Sequence, residues 1–160
     1  MTKALPLALC LALAAPLGAL AQGASVPGPG AVPVDRAIQL FDAICSATLG
    51  KKFRGAERAM KANGISVPSP MGTPTIYSAT EDLSFQIDKA GLSFVQCSMV
   101  FGTTDSKRAV QAAFKARFGP FKEAGGMSGT RHPKTGAVVM TNPPDRNGSH
   151  TIFHLVMLAE

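Results

Sequence analysis

Two alternating runs of apolar and polar residues flank a turn-like tetrapeptide in the stretch LSFQIDKAGLSFVQCSMVF, residues 83–101. A period of two is typical of a β-strand with one buried face, and the DKAG tetrapeptide has the composition of a hairpin turn. Because a slip of one residue exchanges the two faces of a strand, the length of this turn decides which side chains are buried.

Two turn lengths compete for this hairpin. A turn of two residues would direct Gln96 and Ser98 toward the core. A turn of three residues that ends in a left-handed Gly91 instead pairs Phe85 with Val95. We predict the longer turn, because a glycine stands where that turn requires one. The face that it buries is apolar throughout: Leu83, Phe85, Ile87, Val95, Cys97, Met99 and Phe101.

The first 21 residues have the order of a secretory signal peptide. Lys3 forms a basic start, an apolar run covers residues 5–17, and residues 19–21 match an A-x-A cleavage site. The apolar run is short and interrupted by two prolines, whereas a membrane span needs about 20 apolar residues. We therefore predict cleavage after Ala21 and a periplasmic or secreted protein that has no transmembrane segment after cleavage.

Signal cleavage removes Cys10 and leaves Cys45 and Cys97 as the remaining cysteines. Two cysteines in an oxidising compartment usually pair. In the chosen register Cys97 lies on the buried face opposite Leu83, and Cys45 lies on an apolar helical stripe. We predict a disulfide between them that links the first helix to the sheet. A nucleophilic thiol is the weaker alternative, since reactive thiols are partly exposed.

The domain organisation follows from composition and periodicity. Residues 22–33 are rich in glycine and proline and predict a flexible leader. Residues 34–160 predict a single domain that can bury one modest core. Its first helix is predicted over residues 34–49, where apolar residues recur at steps of three and four. A second, shorter helix is predicted over residues 51–64 and ends at an Asn-Gly pair.

A third helix is predicted to begin at Thr104 or Asp105 and to end before Gly119. Its exposed side carries basic residues, namely Lys107, Arg108, Lys115 and Arg117. The segment GGMSGTRHPKTG, residues 125–136, predicts a glycine-rich surface loop, because it lacks a phosphate-loop spacing.

The remaining strands are predicted at residues 75–79, 137–141 and 149–158. The last of them is apolar on both faces, which predicts a central position in the sheet. The order of elements is helix, helix, three strands, helix and two strands. Successive hairpins with flanking helices indicate an α+β fold of two layers, with a mainly antiparallel sheet and helices packed on one face.

This layout resembles that of small exported bacterial proteins with a signal peptide and one cysteine pair. The stretches that carry the resemblance are FDAIC at residues 41–45, FRGAERAMKANG at residues 53–64, and LSFQIDKAGLSFVQCSMVFGTTD at residues 83–105. The resemblance as a whole covers most of the chain after the signal peptide. The resemblance implies an exported α+β domain and assigns no activity.

The basic charge of the chain has two interpretations, a solvated surface with no dedicated partner or an attraction to anionic surfaces. The net charge of +6 becomes +5 when Lys3 leaves with the signal peptide, and a basic exported protein is attracted to anionic surfaces. We predict a non-enzymatic domain that binds a protein or an anionic component of the envelope. One tyrosine and no tryptophan argue against nucleic acid. Weak anion binding is predicted at Lys107, Arg108, Lys115, Arg131 and Lys134.

Three histidines are candidates for chemistry: His132, His150 and His154. In a strand, the HTIFH spacing separates its two imidazoles by about 13 Å, too far to share one ion. A soft copper site of His132 with nearby methionines is disfavoured, because methionine more often fills a core. We predict no metal or cofactor. The alternative function is a hydrolase-like periplasmic enzyme that uses His132 or His154.

Overall fold

The computed structural model describes residues 30–65, 75–80, 82–88 and 94–159 of the 160-residue chain. The predicted signal peptide, most of the predicted leader and the predicted turn at residues 89–91 lie outside the described residues. The helices and strands, in chain order, are α1 (Val34–Phe41), α2 (Ala56–Ala62), β1 (Thr75–Thr80), β2 (Leu83–Asp88), β3 (Val95–Thr103), α3 (Lys107–Phe118), β4 (Lys122–Ala124), β5 (Met127–Arg131), β6 (Val138–Thr141), β7 (Asp145–Asn147) and β8 (His150–Ala159).

The eight strands form one antiparallel sheet in the order β1-β2-β3-β8-β6-β5-β4, and β7 also pairs with β8. The predicted α+β class is thereby confirmed. Strand β8 is central, as its apolar character on both faces predicts. It pairs with β3 along one side and with β6 and β7 along the other.

All three helices contact the same face of the sheet, which we call the inner face. The Cys45 segment that follows α1 is bonded to β3. Glu57 of α2 accepts a hydrogen bond from Tyr77 of β1 at 2.5 Å, and the ring of Phe114 in α3 lies 6.2 Å from that of Phe101 in β3. The inner face is buried across the four central strands by Leu83, Phe85, Cys97, Met99, Phe101, Phe153, Leu155, Met157 and Val139.

The predicted register of the β2–β3 hairpin is wrong by four residues. Phe85 lies opposite Met99 rather than Val95, and Asp88 lies opposite Gln96 at the end of the described ladder. Because four is an even number, the predicted set of side chains still lies on one face. The prediction of the buried face is confirmed even though the prediction of the partners is not.

Cys45 and Cys97 form the predicted disulfide, with their Cα atoms 5.6 Å apart, within the range that such a bond requires. The helix that carries Cys45 is less regular than predicted. It is α-helical to Phe41 and continues as a π-helical turn over residues 42–46. The wider turn brings two successive residues, Ile44 and Cys45, into the core with no exposed surface.

The start of α3 differs from the prediction of Thr104 or Asp105 as its N-cap. Ser106 is the N-cap, because its side chain accepts a hydrogen bond from the backbone N–H of Ala109 at 3.2 Å. Asp105 has another role: its carboxylate accepts the backbone N–H of Val34 at 2.8 Å. A carboxylate at a helix N-terminus satisfies a free donor and complements the helix dipole. Asp105 therefore joins the starts of α1 and α3.

The packed domain begins before its predicted start at Val34. Ala31 and Val32 are buried, and the backbone N–H of Val32 donates to the carbonyl of Gly102 at 2.8 Å. The end of the predicted leader thus pairs with the end of β3. Packing against the sheet, rather than local composition, decides the conformation of these residues.

The predicted surface loop over residues 125–136 is wrong, because β5 occupies its first half. Strand β5 has the sequence MSGTR, with one large apolar side chain, so it lacks the pattern by which strands are recognised. It forms because β4 and β6 pair with its two edges. Strands β4 and β7 also escaped prediction, since each is three residues long.

Candidate functional site

His132 lies at the turn between β5 and β6 and is 2 % exposed. Its backbone N–H donates to the Ala137 carbonyl at 2.8 Å, and its Nδ1 accepts the backbone N–H of Lys134 at 3.2 Å. The ring packs against Phe118, with centroids 5.8 Å apart. Burial and then the positive charge of Arg117 lower the pKa of His132. The imidazole organises a turn beneath α3 and is buried, with no hydrogen-bond partner for its Nε2 among the described residues.

His154 lies in β8 on the face of the sheet opposite the helices, which we call the outer face. Its Nδ1 is 3.1 Å from Nδ2 of Asn142, and burial lowers its pKa. This partner is an amide, so the contact does not supply the carboxylate that would orient a general base. The side chain of His154 is therefore half-buried on the outer face of the sheet.

His150 forms a hydrogen bond through Nδ1 with the buried carboxylate of Asp82, 68 residues earlier. Two glycines allow the backbone to approach this carboxylate. A Cβ added at Gly30 would lie 2.5 Å from Asp82 Oδ2, and one added at Gly102 would lie 2.9 Å from Asp82 Cβ. Since Gly102 also accepts the hydrogen bond of Val32 and donates one to the Asp82 carbonyl, Asp82 lies where the start of the domain meets the end of β3.

The three histidines therefore lie in three different environments. Among the residues that the structure describes, no group of three or more His, Cys, Asp or Glu side chains is arranged to hold a metal ion. In the same part of the chain, no helix is long and apolar enough to cross a membrane.

The predicted anion-binding residues lie on two elements. Lys107, Arg108 and Lys115 are exposed on α3, whereas Arg131 ends β5 and Lys134 lies in the following turn. Each of the three grooves described on the surface is lined by at most one of these five cations. None of these grooves therefore brings two of the five cations together.

Arg117 was predicted on the exposed side of α3, and this placement is wrong. Its Nε donates to Oδ2 of Asp42 at 2.6 Å, and both side chains are largely covered. Asp42 also accepts a hydrogen bond from Ser46 at 2.9 Å. Arg117 is thus committed to the contact between α3 and the π-helical turn and is not available to a ligand.

A groove of about 520 Å³ opens where β8 ends, β3 begins and the β5–β6 turn lies, and we call it the end groove. Two exposed cations, Lys52 and Arg131, line it. No carboxylate contributes to this lining among the described residues. The walls are apolar: Leu49, Phe94, Ala137, Val138, Leu158 and Ala159.

The backbone at Lys52 has a conformation that a lysine seldom adopts. Lys52 and Phe53 have φ angles of 49° and 61°, in the left-handed region that costs a non-glycine residue about 1–2 kcal/mol. The buried ring of Phe53 and a hydrogen bond from the Lys52 N–H to the Leu49 carbonyl at 2.8 Å hold this conformation. Such outliers concentrate at functional sites. Here the outlier lies at a residue that lines the groove.

A second groove of about 490 Å³ lies on the outer face over β4, β5 and β6, and we call it the face groove. Its apolar walls include Met127, Val138 and Met140, and its cations are Lys122 and Arg131. Three large apolar side chains are strongly exposed among the described residues: Ile76 at 53 %, Phe94 at 49 % and Met127 at 44 %. Phe94 lines the end groove and Met127 lines the face groove.

No protein-family model matches the chain, and no curated protein or solved structure is significantly similar to it. The site is therefore defined by the geometry of its own residues. Of the two cations of the end groove, Arg131 was predicted and Lys52 was not. Nothing in the local sequence distinguishes Lys52 from Lys51, because the left-handed turn that positions it depends on the burial of Phe53.

Proposed function

We propose that the protein is an exported, non-enzymatic domain that binds an anionic amphiphile of the cell envelope in the end groove. The observation that carries this proposal is a groove with apolar walls, two cations and no carboxylate among its described lining residues. Export is supported by the signal-peptide pattern and by the disulfide, since such bonds persist in oxidising compartments.

The chemistry of the end groove suits a ligand with an apolar tail and one anionic group. Burial of apolar surface contributes about 25 cal/mol per Å², and the walls supply that surface. The guanidinium of Arg131 matches the geometry of a carboxylate or a phosphate, and the ammonium of Lys52 adds a second positive charge. A neutral amphiphile would gain only the first of these two contributions.

The alternative of a hydrolase gains no support from the histidines that it would use. His132 is buried with its Nδ1 engaged by the backbone of its own turn. His154 is paired with an amide. A binding role requires neither residue to react. Substitutions in the groove should therefore impair a binding protein, whereas substitutions of the histidines should impair a hydrolase.

Titration calorimetry with laurate, an anion with one alkyl chain, tests the proposal when dodecyl maltoside serves as the neutral control. We expect laurate to bind and the maltoside to bind more weakly. Arg131→Gln and Lys52→Asn should each weaken laurate binding about tenfold, as expected for a lost charge-assisted hydrogen bond. Asparagine is chosen at position 52 because it tolerates the left-handed backbone.

Lys134→Gln is the matched control, because Lys134 lies in the same turn as Arg131 and does not line the end groove. Its laurate affinity should equal that of the wild type. Added salt should weaken binding by screening the exposed cations. The proposal is wrong if laurate does not bind, or if Lys134→Gln weakens binding as much as Arg131→Gln does.

A further inference from the structure

The end groove and the face groove are neighbours that share two residues. Arg131 and Val138 line both of them, and these two residues face each other across the β5–β6 ladder. The shared pair therefore forms the boundary between the two apolar grooves. Each groove has a further cation of its own, Lys52 in the end groove and Lys122 in the face groove.

We propose that the ligand is an anionic lipid with two acyl chains, whose headgroup lies on Arg131 and whose chains occupy one groove each. This inference rests on the proposed function of the end groove and adds the number of chains. A ligand with one chain would fill one groove and leave the apolar walls of the other in water. A ligand with two chains covers both.

The charges of the combined surface favour an anionic head over a zwitterionic one. Lys52, Lys122 and Arg131 line the two grooves, and no carboxylate does so among the described residues. The guanidinium of Arg131 is steadied by a hydrogen bond from Nη1 to the Gly136 carbonyl at 3.1 Å. A guanidinium has five N–H donors, so this bond leaves capacity for a phosphodiester.

A glycine gives the face groove its space. Gly129 of β5 lies opposite Met140 of β6 and lines the groove. A Cβ added there would meet the Met140 Cγ and the Val139 carbonyl oxygen at 3.7 Å, an ordinary contact distance. A larger side chain at position 129 would therefore enter the groove. Gly129 does not line the end groove, so it provides a way to block one groove alone.

Three lipids separate the contributions of chain number and charge. Dioctanoylphosphatidylglycerol has two chains and one negative charge, lauroyl lysophosphatidylglycerol has one chain and the same head, and dioctanoylphosphatidylcholine has two chains and a zwitterionic head. We expect the first to bind at least about tenfold more tightly than the lysolipid, because burial of even two methylene groups changes a Kd by that factor. It should also bind more tightly than the phosphatidylcholine, because the quaternary ammonium of that head is repelled by the cations of the grooves. Inorganic phosphate in excess should not displace it.

Gly129→Leu should remove the advantage of the two-chain lipid and leave the affinity for the lysolipid unchanged. Met127→Glu is a second variant with the same expected effect, since it places a negative charge at an exposed position of the face groove. Phe94→Ser, in the end groove alone, should weaken both lipids. Thermal unfolding of each variant verifies that it is folded.

The outcomes distinguish this inference from the proposed function. If laurate and the lysolipid bind but the two-chain lipid binds no more tightly, the two-chain inference is wrong and the function of the end groove stands. If phosphate displaces the lipid, the site recognises the headgroup alone. If no amphiphile binds, the proposed function itself fails. Equal binding of the two-chain lipid by wild type and Gly129→Leu would also overturn the inference.

Discussion

The two faces of β8 have similar hydropathy and different surroundings. On the inner face, Leu155 and Met157 have no exposed surface beneath the helices. On the outer face, His154 and Leu158 are only partly buried, and Leu158 lines the end groove. A strand whose sequence is apolar on both faces therefore does not necessarily have both faces in the core. The inner face is closed by the helices, whereas the outer face combines a buried Val156 with the partly exposed His154 and Leu158.

The largest effect should come from the bond that fastens the helices to the inner face. Replacing both Cys45 and Cys97 by alanine should lower the free energy of unfolding by about 4 kcal/mol, because the bond closes a loop with a sequence separation of 52 residues. Denaturant unfolding measures this loss. Reduced wild-type protein should match the double variant, and a loss below about 1 kcal/mol would show that the bond is not a major source of stability.

A matched pair of leucines compares the two faces directly. Leu155→Ala on the inner face should cost about 3 kcal/mol, because it leaves a cavity in a closed core. Leu158→Ala on the outer face should cost less than about 1 kcal/mol, since water can reach the site. The second variant should instead weaken laurate binding. Equal losses of stability would mean that the outer face is as closed as the inner face.

Acid should destabilise the protein through His132. Its pKa is lowered from 6.5 in the folded state, mainly by burial, so the unfolded chain binds the proton more readily. The contribution of the neutral His132 to the free energy of unfolding is therefore fully present above pH 6.5. It is lost progressively as the pH drops below that value. One such group contributes at most about 1.4 kcal/mol per pH unit.

His132→Asn keeps an acceptor for the Lys134 N–H and removes the titration. Its unfolding free energy should depend less on pH between neutrality and mild acid than that of the wild type. His154→Gln, on the outer face, should reduce the pH dependence of the unfolding free energy less than His132→Asn does, because His154 is more exposed than His132. An unchanged profile for His132→Asn would contradict the role given to burial.

The smallest effect should come from the ion pair between α3 and the π-helical turn. Arg117→Met should cost about 1 kcal/mol, because the pair with Asp42 is only partly exposed. Lys115→Met, at an exposed position of the same helix, should be close to neutral. Both values come from denaturant unfolding. A larger loss for Lys115→Met would show that α3 is packed differently.

Several features of this protein were determined by local sequence. The alternation in β2 and β3 identified the buried face, because side-chain direction depends only on the parity of the position. The positions of Cys45 and Cys97 on apolar faces identified the disulfide. The two-sided apolar character of β8 identified the central strand. Each of these inferences survives an error in register or length, because none of them depends on knowing which residue is the partner.

Other features were decided only by the tertiary structure. Strand β5 has little pattern of its own and forms because its neighbours pair with it. Asp105 caps a helix that begins 71 residues earlier, and Lys52 meets Arg131 at one groove from distant parts of the chain. The physical reason is common to all three. Hydrogen-bond partners and ligand surfaces depend on distances in space, whereas a sequence pattern reports only the preferences of neighbouring residues.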